Sequence, residues 1–145
     1  MKRSFTLIEL IVVIIIIGIL ATLGFTQYGR VLERARGGEA KTILGTIRTL
    51  AAIYYLENGS LSGISNINLN IGPDADQNPS ACRPSHYFAY STDAGTSTTE
   101  IKITATRCGD SGKTPGGGAS TDTTLVLTSN LSTGVDTWSG TGNYR

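Results

Sequence analysis

Residues 5–25 read FTLIELIVVIIIIGILATLGF, and this stretch decides the architecture. It is apolar almost throughout, with Glu9 near its start. As a helix rising about 1.5 Å per residue, about 21 residues span roughly 30 Å, the thickness of a bilayer's hydrocarbon core. An ionised carboxylate inside that core costs about 3 kcal/mol on insertion scales. A cation is therefore expected to meet Glu9. The nearest candidate is an amino terminus freed just upstream.

The residues before the run fit that idea. Met1-Lys2-Arg3-Ser4 is a very short basic leader. A secretory signal peptide places a small-residue cleavage site after its apolar region, and no A-x-A-like site stands near Ala21. The segment reads as an anchor. Its basic end is expected on the cytoplasmic side and the rest of the chain outside.

The stretch KRSFTLIEL, residues 2–10, is similar to the class III leader and cleavage site of type IV pilins and pseudopilins. The resemblance implies cleavage between Ser4 and Phe5 by a membrane-embedded prepilin peptidase, and N-methylation of the new Phe5 terminus. It also implies that Glu9 is the family's signature acid. Ser4 stands where the family usually has Gly, and Thr26 stands where it often has Pro. Loosening of the helix is then expected to fall to Gly18 and Gly24. The stretch AAIYYLENGSLS, residues 51–62, also resembles the corresponding region of many pilins. A plain signal anchor with a tolerated Glu is the bland alternative. The leader, Phe5, Thr-Leu-Ile-Glu and the apolar run all agree on the pilin reading.

Downstream, Arg30, Glu33, Arg34, Arg36, Glu39 and Lys41 bring charge abruptly. Apolar residues then recur at Ala40, Ile43, Leu44, Ile47, Leu50, Ala51 and Tyr54, a spacing that puts one stripe on a helix. Arg30–Glu33, Glu33–Arg36 and Arg36–Glu39 are spaced to pair on its solvated side. Glu57-Asn58-Gly59 is the expected stop. Gly37, Gly38 and Gly45 weaken the middle, so bending is expected there. The chain divides into a leader (1–4), a transmembrane or filament-core helix (5–29), an amphipathic helix half (30–58) and a β-rich head (59–145).

Within the head, Leu61, Ile64, Ile67, Leu69 and Ile71 punctuate a polar connector and are expected to pack on the domain. His86–Ser91, Glu100–Arg107 and Thr123–Ser129 are strand candidates, with Asp93-Ala94-Gly95 as a turn. Ile101, Ile103 and Ala105 should face inward against Lys102 and Thr104. Val135–Trp138 is a candidate edge strand. The predicted class is α+β: a long amino-terminal helix packed on a small antiparallel sheet with one covered face. An extracytoplasmic location and the pilin resemblance together imply a Cys82–Cys108 disulfide, worth about 3–4 kcal/mol on the chain-entropy estimate. Free thiols or half a metal site are the alternatives. A single His, at position 86, and the lack of a CxxC pair speak against zinc.

The remaining motifs carry little chemistry. Formal net charge is +1, without the basic excess expected of a nucleic-acid binder. Gly112-Lys113-Thr114 imitates the end of a phosphate loop, but Arg107 holds the first glycine position and Pro115 blocks the helix that must follow. It reads as a flexible surface loop. Asp74, Asp76 and Asn78 imitate a calcium loop, but Pro79 and Ser85 occupy the places of its Gly and Glu. His86 shows no evident Ser or Cys partner. Tyr54, Tyr55, Tyr87, Phe88 and Tyr90 read as core aromatics. Asn58 and Asn130 match glycosylation sequons of little weight in a bacterium.

Neither a cofactor nor an enzymatic constellation is expected. The function implied by the resemblance is structural. The chain would be the subunit of a homo-oligomeric helical filament, drawn from the inner membrane by an assembly machinery after peptidase processing. In the filament Glu9 would meet the Phe5 amino group of a neighbouring subunit and set axial register, as a buried polar group does in a coiled coil. A type II secretion pseudopilin is the first alternative, although the chain has no Asp-Pro-Trp-Gly-like stretch and does have the cysteine pair. A membrane-anchored extracytoplasmic binding protein is the second.

Overall fold

The computed structural model describes residues 6–73, 78–93, 97–109, 111–114 and 124–144. One helix, α1 (Leu7–Asn58), takes up 52 residues. Thr6 caps its start in an extended conformation. Gly59 closes it at φ 72°, the left-handed region that glycine enters without a Cβ penalty, and its N–H bonds Tyr55 O. The expected stop is therefore observed. Up to Val31 every side chain described on this helix is exposed. Beyond it, Ala40, Leu44, Ile47 and Ala51 are fully buried, while Ile43, Leu50 and Tyr54 pack half-buried at the flanks. The apolar stripe read from the sequence is the core-facing stripe.

Two short strands, β1 (Ile71–Gly72) and β2 (Asn78–Pro79), pair in parallel. The main sheet contains β3 (Phe88–Asp93), β4 (Glu100–Arg107), β5 (Thr124–Asn130) and β6 (Val135–Gly140), in chain order and antiparallel throughout. Period-two alternation puts Ile101, Ile103 and Ala105 of β4 beside Leu125 and Leu127 of β5 on the covered face, with Ile103 opposite Leu127 and Ala105 opposite Leu125. Tyr90 and Phe88 complete that face from β3, and the helix stripe closes over it.

Several sequence expectations need correcting. The first strand starts at Phe88 rather than His86, because His86 N–H closes a turn onto Arg83 O at 3.0 Å. Val135–Trp138 extends to Gly140 as a full partner of β5. Ile67 points into solvent at 88% exposure, whereas Leu61, Leu69 and Ile71 are buried as expected. Ala94, Gly95 and Thr123 lie outside the described residues. The parallel β1–β2 pair had no sequence signal, being two residues per strand.

Helix α1 runs through Gly37, Gly38 and Gly45 without interruption. Gly37 has a different use. A Cβ there would sit 2.6 Å from Tyr144 Cδ1, so the missing side chain is the seat for the Tyr144 ring. That ring meets Phe88 edge-on, with centroids 5.4 Å apart, on the turn Gly142–Tyr144. Alanine normally improves a helix interior by about 1 kcal/mol over glycine, but overpacking costs about 1–3 kcal/mol. Gly37→Ala is therefore expected to destabilise by up to about 2 kcal/mol. Thermal unfolding in detergent checks this. A raised melting temperature would mean that the Tyr144 ring is not held there.

Candidate functional site

Among the described residues, two places that concentrate polar groups against apolar surroundings bear on function. The first is the start of α1. Thr6 N–H and Thr6 Oγ1–H both donate to Glu9 Oε2 at 2.8 Å, and Glu9 N–H donates to Thr6 Oγ1 at 3.4 Å. This is a reciprocal capping box, which satisfies helix-start donors that have no intrahelical partner. Its signature, Thr-x-x-Glu, stands in the sequence at residues 6–9, but the charge of Glu9 drew the reading toward an external cation instead. The carboxylate is thus already hydrogen-bonded within its own chain. Around it Leu7, Ile8, Leu10 and Ile11 are exposed, as are the large apolar side chains along the helix to Leu23 and Phe25. Ile8, Glu9, Val12 and Val13 line a shallow hollow on this bare surface. Ala21, Gly24, Phe25 and Tyr28 line another.

The other predicted residues fall as follows. Ser4 and Phe5 lie outside the described residues. Gly18 and Gly24 sit in unbroken helix, with open space where a Cβ would project. Asp74 and Asp76 lie outside the described residues, and Asn78 is buried with Nδ2 donating to Leu69 O at 3.3 Å.

The second place is the junction of helix and head, which sequence reading missed. Glu33 was expected on the solvated side. Instead its carboxylate turns toward the sheet and is only 21% exposed. Arg107 Nε and Nη2 donate to it at 3.2 and 3.3 Å, and Tyr144 Oη donates at 2.6 Å. Arg36 Nη1 completes the set as an ion pair. The Arg107 side chain is 2% exposed, and its Nη1 also donates to Tyr87 O and Cys108 O. Burial alone would raise the Glu33 pKa, but the hydrogen bonds from Arg107, Tyr144 and Arg36 outweigh it and hold the group at about 2. Burial and the same carboxylate push Tyr144 above the usual tyrosine range. Only tertiary contacts could reveal this cluster, since its members lie as far apart as 33 and 144 in the chain.

Beside it, Cys82 and Cys108 form a disulfide, with Cα atoms 5.6 Å apart. The bond ties the loop before β3 to the end of β4. The loop at Gly112-Lys113-Thr114 is less free than its composition implied. Lys113 N–H donates to His86 O at 2.9 Å, and a Cβ on Gly112 would collide with Cys108 Cβ. His86 does have a serine neighbour, since Ser85 Oγ lies 2.8 Å from its Nδ1. The two sequons are structural. Asn58 Nδ2 donates to Tyr54 O, and Asn130 Oδ1 accepts from Ser132 and Thr133 in the β5–β6 turn.

Residues 1–25 match the prokaryotic N-terminal methylation motif. A 65-residue stretch, 45% of this chain, is 37% identical to the type IV major pilin protein PilA of Myxococcus xanthus (strain DK1622). The match spans 30% of that relative's length. The methylation motif, this partial likeness and the 52-residue helix laid on a four-stranded antiparallel sheet together support a type IV pilin.

Proposed function

We propose that the chain is the structural subunit of an extracellular type IV pilus. The observation that carries this is the bare first half of α1, an apolar surface uncovered from Leu7 to Phe25 with a single carboxylate on it. An apolar helix of this length first resides in a membrane. Its apolar side chains then exchange lipid for neighbouring helices, so packing rather than hydrophobic gain must supply specificity.

In this reading a prepilin peptidase cuts between Ser4 and Phe5, and an inner-membrane machinery lifts the subunit into the filament. The Thr6 cap keeps Glu9 satisfied while the subunit waits in lipid. Two acceptor oxygens leave the carboxylate free to take a further donor, the Phe5 ammonium of a neighbour, and that pairing sets register. Gly18 and Gly24 are the points where the helix yields during packing. The cysteine pair and the similarity to a major pilin favour a pilus over a pseudopilus.

Electron microscopy of surface filaments sheared from cells, with mass spectrometry of their amino terminus, tests the reading. Filaments of this chain beginning at methylated Phe5 support it, and their absence sinks it. Glu9→Leu is expected to insert normally yet yield on the order of tenfold fewer sheared filaments, because the partner ammonium would lie unpaired in a dry core. Filament numbers equal to the parent's would rule out a register role for Glu9.

A further inference from the structure

Among the described residues, the head carries opposite charge at its two ends. One end is fixed by the contacts of Glu33 with Arg107 and Tyr144, near where α1 leaves its bare half. Arg36 and Arg107 lie there with their guanidinium carbons 5.0 Å from the Tyr87 ring centroid, and Lys113 Nζ lies 4.8 Å from the same centroid. Arg30 and Arg34 stand exposed on the adjoining helix turns, and Lys113 is exposed on the head above the Tyr87 ring. Among the described residues, Glu33 is the acid that bonds this group, and it is turned inward. Glu39 stands nearly two turns higher, where it adds to burial in raising the pKa of Tyr90.

The other end is fixed by Leu61 N–H donating to Thr98 O at 2.7 Å, which brings the β3–β4 connection beside the end of the helix. Among the described residues this end presents Glu57, Asp93 and Glu100, all exposed, against Lys102. Asp136 is already spent on Arg48 and Ser129. From Glu33 to Glu57 the helix rises roughly 36 Å, several screening lengths at physiological salt, so the two ends act as separate fields.

We infer that the cationic base formed by Arg30, Arg34 and Lys113 docks on the acidic tip formed by Asp93, Glu100 and Glu57 of a second copy of this chain. This rests on the filament reading above and names the contact between heads that would accompany helix packing. A head-to-tail contact between unlike ends is heterologous, the kind of contact that builds an open filament where its rotation does not close a ring. Its charges are solvated at the rim, so their main contribution is to partner choice and rate of docking. The docking patch adjoins the Glu33 cluster. Arg36 and Arg107 are locked by Glu33, and Lys113 is held by its backbone bond to His86.

Charge reversal in the full chain tests the contact. Base reversal (Arg34→Glu with Lys113→Glu) and tip reversal (Asp93→Lys with Glu100→Lys) change exposed side chains only. Circular dichroism and melting of each variant in detergent confirm folding. Either reversal alone is expected to reduce sheared filaments on the order of tenfold, since it sets like charges face to face. Both reversals in one chain are expected to restore filaments to near the parent level. Raising salt from 0.1 to 1 M, which shortens the screening length from about 10 to about 3 Å, should shrink the single-reversal defect. Single reversals that assemble like the parent overturn the contact. So does a combined variant no better than either alone, the result expected if the base instead faces anionic lipid. A parent chain that forms no filaments at all overturns the filament reading, and this contact with it.

Discussion

Glu33→Ala is expected to lower the stability of the folded head by roughly 3 kcal/mol, the low end of the range for breaking a buried ion pair, because Glu33 keeps some exposure. The substitution strands the Arg107 guanidinium, whose side chain is 2% exposed, and removes the acceptor of the Tyr144 hydroxyl. Tyr144→Phe should cost less, about 1 kcal/mol, since it deletes a donor and leaves the ring on Gly37. Urea unfolding followed by near-UV circular dichroism in detergent measures both. A loss below about 1 kcal/mol for Glu33→Ala would mean that water already satisfies Arg107.

The same carboxylate gives a pH signature. Its folded pKa, about 2, lies below the ordinary 4.5. A depressed carboxylate contributes stability that is fully present above the unfolded pKa and is lost as pH falls through the folded one. The head should therefore weaken between about pH 4.5 and pH 2, and Glu33→Ala should flatten that part of the profile. A profile unchanged by the substitution would locate the acid sensitivity elsewhere.

Replacing Cys82 and Cys108 together with serine is expected to cost about 3–4 kcal/mol, the loop-entropy value for a separation of 26 residues. That is a large share of a small domain's stability. Hydrogen exchange should rise first at Cys108 N–H and Lys113 N–H, which bond Tyr87 O and His86 O across the stapled loops. The distant β5–β6 ladder should hold longer. Uniform exchange across the whole head would show that the bond acts on global unfolding alone. Because these loops carry Lys113, a loosened staple would also blur the cationic base of the head.

The helix was legible because its signals are local. Apolar periodicity and the Asn58-Gly59 stop are each read within a few residues, whereas the Thr6–Glu9 cap at its start was local too but went unread. Strands β4 and β5 were legible for the same reason, since alternation of Ile101, Ile103 and Ala105 against Lys102 and Thr104 needs no partner to be seen. The edges were less clear. His86 and Tyr87 look like strand residues by composition, yet a turn onto Arg83 claims His86, and the strand starts one residue after Tyr87; the two-residue β1–β2 pair is too short to leave a pattern.

Sequence by itself determined that this chain has a membrane-length apolar helix carrying one acid, a second amphipathic half, and a half-covered antiparallel sheet. Those follow from the periods of helix and strand and from the free energy of putting carbon rather than charge out of water. Tertiary structure alone decided what the helix charges and glycines are for. Glu33 reads as solvated until Arg107 and Tyr144 arrive from the end of β4 and the last turn, and Gly37 reads as a weak point until a ring is laid on it. A polar group's partner, and the space that a missing side chain leaves, are set by residues far away in the chain, and no local pattern encodes them.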